Sequence, residues 1–136
     1  MKKVIFLNFV MMLLMSGLLC NAQTSKKATQ SSASGKVEAY YFHFTARCIT
    51  CKTVEAEAKT DIESLYGEKV SFQAINLDDA ASKAIAEKLQ VSGQTLLIVK
   101  GDTKIILTNE GFMYARNNPE KFKSIIKEKV DGLLKL

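Results

Sequence analysis

Apolar side chains along this chain recur at two different spacings, and the points where the spacing changes mark out its elements. Val37 to Phe44 is rich in Val, Tyr and Phe and is apolar at both alternating sets of positions, which predicts an internal strand. From Cys48 to Tyr66 the spacing becomes three and four. Cys51, Val54, Ala58, Ile62 and Leu65 then form one helical stripe, and Glu55, Glu57, Lys59, Asp61 and Glu63 fall mostly off it as a solvated face. Gly67 supplies a stop. Val70 to Asn76 alternates Val70, Phe72 and Ala74 with Ser71 and Gln73, a second strand. Asp78 or Asp79 is placed to cap a helix running through Leu89, with Ala81, Ile85, Lys88 and Leu89 on or beside one face. Thr95 to Val99 is a third strand, and Gly101-Asp102 turns it into Lys104 to Thr108, an antiparallel hairpin. Asn118 caps a last helix with Pro119 at its first position, and Phe122, Ile125, Ile126, Val130 and Leu133 form its core stripe. The expected order is β-α-β-α-β-β-α.

The N-terminal segment follows a different pattern. Lys2 and Lys3 precede the apolar run Val4 to Leu19, and the small residues of Cys20-Asn21-Ala22 follow it. Residues 1–22 therefore read as a secretory signal cleaved after Ala22, with a retained anchor or lipidation at Cys20 as alternatives. Residues 23–36 are rich in Ser, Thr, Ala and Lys without a large apolar side chain, and read as a flexible linker. Residues 37–136 have the length of one domain with a single core. An exported, periplasmic or otherwise extracytoplasmic location is expected, with membrane attachment only through an uncleaved signal or a lipidated Cys20.

Composition narrows the function classes. Losing Lys2 and Lys3 from the 19 Lys and Arg leaves 17 against 14 Asp and Glu, so the mature charge falls from +5 to +3. The basic residues are interleaved with acids, which gives nucleic-acid binding no support. A monomer is expected. Of three cysteines one, Cys20, belongs to the leader, so the exported domain keeps only Cys48 and Cys51. In an oxidising compartment a lone close pair points to redox traffic or metal capture.

The pair lies where the first strand gives way to the first helix, in Phe44-Thr45-Ala46-Arg47-Cys48-Ile49-Thr50-Cys51-Lys52. A thiol there faces unpaired backbone N–H groups and the positive end of the helix dipole, which favours its thiolate. A second thiol three residues on completes a two-electron couple, with Cys48 attacking and Cys51 resolving. A static disulfide closing so short a loop would gain little stability. Arg47 reads either as a charge partner for the thiolate or as a solvated loop residue. His43, the one histidine, reads as a packed, hydrogen-bonded residue or as a base or third metal ligand. Tyr40, Tyr41, Phe42 and Phe44 read as core.

The element order with a dithiol at the start of the first helix resembles the thioredoxin fold over nearly all of residues 37–136. Leu89-Gln90-Val91-Ser92-Gly93-Gln94-Thr95 looks like that family's loop before the third strand. The resemblance implies an α/β architecture, a mixed central sheet with helices on both faces. More narrowly, Tyr40 to Cys51 is similar to the small exported ArsF-like group named for a nitrophenyl-compound nitroreductase subunit, which implies a nitroreductase role. No flavin or nicotinamide site is evident, and no cofactor is expected.

Two positions depart from the thioredoxin pattern. The loop proline facing the cysteines is replaced by Gln94, and a non-proline cis bond costs about 3 kcal/mol, so Gly93–Gln94 is expected to be trans. The resemblance implies that this change relaxes both substrate docking and metal exclusion. The strand acid that serves the family as proton acceptor is replaced by Phe42, leaving Glu55 as a substitute acceptor or as a plain surface carboxylate.

The expected function is an exported thiol–disulfide oxidoreductase acting on protein thiols or disulfides and served by a membrane or soluble electron donor. Cys48 and Cys51 are its catalytic pair, Arg47, Ile49, Thr50, Gly93 and Gln94 its rim, and Ile49 and Thr50 tune the potential. The alternative is a binding module for copper, zinc or arsenic using the Cys48 and Cys51 thiolates, with His43 as a third ligand.

Overall fold

The structure, a computed structural model, describes residues 35–136. The expected signal over 1–22 and all but the end of the linker over 23–36 lie outside the described residues. Strand β1 (Val37–His43) sits inside a four-stranded sheet of order β2-β1-β3-β4, as its two apolar faces require. It pairs in parallel with β2 (Val70–Asn76) and antiparallel with β3 (Thr95–Lys100), which pairs antiparallel with β4 (Thr103–Ile106). Helix α1 (Ile49–Tyr66) makes the crossover that a parallel β1–β2 pair demands. Helix α2 (Lys83–Leu89) follows a single 3-10 turn at Ala80–Ser82.

Alternation along β1 divides the core in two. Val37, Ala39 and Tyr41 face one side with Leu96 and Ile98, packed against Val54, Ala58 and Ile62 of α1 and Phe122, Ile126, Val130 and Leu133 of α4 (Pro119–Leu134). Tyr40, Phe42, Leu97 and Val99 face the other side, covered by Ala86 and Leu89 of α2. The mixed sheet with helices on both faces is the expected architecture. Asn118 caps α4 through its side chain, which accepts from Lys121 N at 3.1 Å, with Pro119 in the first turn.

Several local expectations are corrected. A further helix, α3 (Thr108–Tyr114), follows β4, which ends at Ile106 rather than Thr108. The order is therefore β-α-β-α-β-β-α-α. Gly111 hides this helix in the sequence, since glycine is a poor interior helix former. Packing explains it: a Cβ there would lie 2.7 Å from Val54 Cγ1, so only glycine lets α3 approach α1 this closely. Asp78 and Asp79 do not cap α2; no side chain caps the 3-10 turn or α2. On α2 the buried side chain beside Leu89 is Ala86, whereas Ala81 and Lys88 are exposed, because the 3-10 start rotates the helical face. Phe44 is not core: β1 stops at His43 and Phe44 is 40% exposed. Asp61 is buried rather than solvated, and Leu65 and Ile125 are only partly covered.

Candidate dithiol site

The dithiol is built at the junction of β1 and α1. Cys48 is the N-cap of α1, with extended backbone, and its Sγ accepts from Cys51 N at 3.3 Å. Lys52 N donates to Cys48 O at 3.2 Å, the first bond of the helical ladder. The expected helix start at Cys48 thus moves one residue, and the sulfur takes the place of a capping oxygen. With no acidic residue in the first turn, the unpaired N–H groups and the dipole favour an anion at this cap.

The loop leading into the cap is tied down from β2. Thr45 N donates to Asp78 Oδ2 at 2.7 Å, Asn76 Nδ2 donates to Thr45 Oγ1 at 2.9 Å, and Asp78 N donates to Asn76 Oδ1 at 3.1 Å. The Thr45 N–H holds the Asp78 carboxyl below the usual carboxylate range. Asp78, read from sequence as a helix cap, instead fixes the segment before Cys48. Only its pairing across 33 residues reveals this, and nothing local in the sequence signals it.

Cys48 is exposed and Cys51 is 6% exposed, and both are free thiols. Burial pushes the Cys51 thiol up, but the Cys48 side chain, the Gln94 side chain and the backbone N–H groups of Cys48 and Cys51 together outweigh it, and the net direction is downward. Ile49, 69% exposed, forms an apolar rim beside the accessible sulfur, and Thr50 is half-buried.

Beneath the pair lies a polar network. Tyr41 is fully buried and its hydroxyl donates to Cys51 O at 2.8 Å. The Gln94 amide donates in turn to the Tyr41 hydroxyl. Burial pushes the Tyr41 phenol up to about 12, with Cys51 and Glu55 adding to the rise and the Gln94 hydrogen bond and Arg47 opposing it. Sequence reading placed Tyr41 in the core and missed its polar role. The available signal was a phenolic O–H inside an otherwise apolar strand, which needs a partner when buried.

Arg47 pairs with Glu55, one turn beyond Cys51, the side chains being 20% and 24% exposed. Arg47 is thus neither a freely solvated loop residue nor confined to the thiols, and Glu55 is not a bare surface carboxylate. His43 is 9% exposed, and its Nδ1 donates to the Phe44 carbonyl at 3.0 Å, the packed and hydrogen-bonded arrangement. Among the described residues no three His, Cys, Asp or Glu side chains gather closely enough to hold a metal ion. The peptide bond Gly93–Gln94 is trans. Gly93 and Gln94 also line an open cleft of about 410 Å³ that continues over Leu89, Leu97, Lys104 and Ile106.

Neither a protein-family model nor a curated protein matches the chain. Among solved structures it is similar to Trxlp from Edwardsiella tarda, at 20% identity over 72% of this chain and 88% of that one, with a TM-score of 0.51. It is also similar to thioredoxin from Wuchereria bancrofti, at 18% identity over 76% and 88% of the two chains, with a TM-score of 0.42. A malarial protein aligns at 22% identity over 52% and 75% of the two chains, with a TM-score of 0.41. The strand order, the crossover helix opened by a cysteine, and the likeness to Trxlp give this chain a thioredoxin-like fold.

Proposed function

We propose that this domain is a thiol–disulfide oxidoreductase acting outside the cytoplasm, on protein thiols or disulfides and in turn with a membrane or soluble electron donor. The observation that carries the reading is the asymmetry of the pair: an exposed cysteine capping α1, with its sulfur on a backbone N–H, above a buried cysteine held in a hydrogen-bond network. Export rests on the Lys2-Lys3 and Val4 to Leu19 pattern, and the domain itself is treated as monomeric. The narrower resemblance to ArsF-like subunits adds no residue to this chemistry.

In the reducing direction the exposed Cys48 thiolate attacks one sulfur of a substrate disulfide. A Cys48–substrate bond forms, the substrate S–S bond breaks, and the first substrate sulfur leaves as a thiolate that takes up a proton. Cys51, having lost its proton, then attacks Cys48 Sγ, closing the Cys48–Cys51 disulfide and releasing the second substrate sulfur. The pair loses two electrons and two protons, and the substrate disulfide gains them. The reverse sequence oxidises a substrate dithiol.

Full-length chain carrying Cys20→Ser tests this against a model disulfide. Cys48→Ser is expected to abolish exchange, and Cys51→Ser to accumulate a mixed disulfide through Cys48, detected by mass spectrometry. Exchange that persists in Cys48→Ser, or the absence of any Cys48 adduct in Cys51→Ser, overturns the reading.

A further inference from the structure

Gln94 lies 53 residues from Tyr41 in sequence, yet its side-chain amide donates to the Tyr41 hydroxyl beneath the dithiol. That hydroxyl spends its own proton on the Cys51 carbonyl, at 2.8 Å, so it meets Gln94 as an acceptor. A glutamine amide has two N–H donors. With one on Tyr41, which itself holds the Cys51 carbonyl, the second is left free beside Cys51, and the Gln94 side chain is among the groups that lower the Cys51 thiol. An uncharged donor is therefore fixed by a fully buried tyrosine that also holds the Cys51 backbone.

We infer that Gln94 is the positioning residue for the resolving half of the exchange: its amide, anchored on Tyr41, donates to the Cys51 sulfur and supports it as an anion during attack on the Cys48 mixed disulfide. The inference deepens the oxidoreductase reading and rests on it for its role in exchange, while its hydrogen-bonding content stands independently. An amide supplies a donor but accepts no proton at its nitrogen. The proton leaving Cys51 is therefore passed to water or to the departing substrate thiolate, which needs one as it leaves, so the balance closes without a further co-reactant. Glu55, the nearby carboxylate, is engaged by Arg47 and is not required as acceptor. The same amide ties the loop before β3 to the tyrosine that holds the first turn of α1.

The direct test is the thiolate absorbance of full-length chain carrying Cys20→Ser and Cys48→Ser, titrated with pH so that Cys51 alone is read. Hydrogen bonds to charged groups contribute about 1.5–3 kcal/mol, so Gln94→Met, which keeps the volume and removes the donor, is expected to weaken Cys51 ionisation roughly tenfold or more. Gln94→Glu is expected to weaken it further, because a like charge replaces the donor. In the two-cysteine chain at alkaline pH, a tenfold loss of thiolate stabilisation lowers the reduction potential by about 30 mV. Packing alone does not produce the order Gln94, then Met, then Glu. An unchanged Cys51 titration in folded Gln94→Met and Gln94→Glu overturns the inference. The two readings fail separately: a chain that exchanges disulfides without this ordering loses Gln94 its role, and a chain that shows the ordering but exchanges nothing loses the oxidoreductase reading.

Discussion

Asp61 is 4% exposed, with Oδ1 3.6 Å from Lys123 Nζ and Oδ2 without a hydrogen-bond partner among the described residues. Burial pushes its carboxyl up, Lys123 opposes the shift, and Glu57 and Glu120 add to it. A carboxyl whose folded pKa is raised contributes stability that is fully present below its unfolded value, about 3.9, and is lost as pH rises through the folded value. Asp61→Asn, which mimics the protonated form, is therefore expected to match or exceed the parent in urea midpoint at pH 7, with the advantage vanishing near pH 3. A variant clearly less stable at pH 7 would show that the Lys123 pair outweighs the desolvation. Sequence placed Asp61 on a solvated face because every alternate position from Glu55 to Glu63 is charged; the packing of α4 onto α1 covers this one. Cys48 and Cys51 were legible because their chemistry stands out from their surroundings, and Gln94 only through the resemblance of its loop to that of thioredoxins, whereas Tyr41 was hidden by looking like any other aromatic in a buried strand.

At the scale of elements, the site depends on α1 being held at both ends of its first turns. Asp78 and Asn76 fix the approach through Thr45, and Tyr41 binds the Cys51 carbonyl from below. Helix α3 braces the next turn, with Gly111 against Val54. Gly111→Ala brings a Cβ to 2.7 Å from Val54 Cγ1 and 3.3 Å from Cγ2, and Val54, β-branched on a helix, has little rotamer freedom to yield. Overpacking of this kind costs about 1–3 kcal/mol, more than the gain of up to about 1 kcal/mol in helix propensity from replacing glycine. The expected outcome is a lowered denaturation midpoint, with most of the loss relieved when Val54→Ala opens the space. A Gly111→Ala chain more stable than its parent would refute the contact. Strand β2 and the start of α4 were legible to the residue because alternation, Asn118 and Pro119 are local signals. Helix α3 was not, since it is short, begins beside a strand and carries a glycine whose reason lies on another helix.

For the whole molecule, the two-layered core on a mixed sheet puts β1 at the centre and brings its C-terminal end, the N-terminus of α1 and the loop before β3 to one place. The pairing of Phe42 with Thr95 sets Gln94 beside the dithiol, and a register fixed by two buried faces keeps it there. This general arrangement was readable from the order of apolar patterns, while the hydrogen bonds that give the site its character join residues far apart in the chain. The central claim is that Cys48 and Cys51 act as one two-electron couple. Equilibrating full-length Cys20→Ser chain across a glutathione redox series and counting thiols by mass tests it most directly. The account predicts that both thiols disappear together in a single two-electron transition, with a midpoint between about −270 and −120 mV. Thiols that stay reduced throughout, or that acquire glutathione independently without forming the Cys48–Cys51 bond, would contradict it.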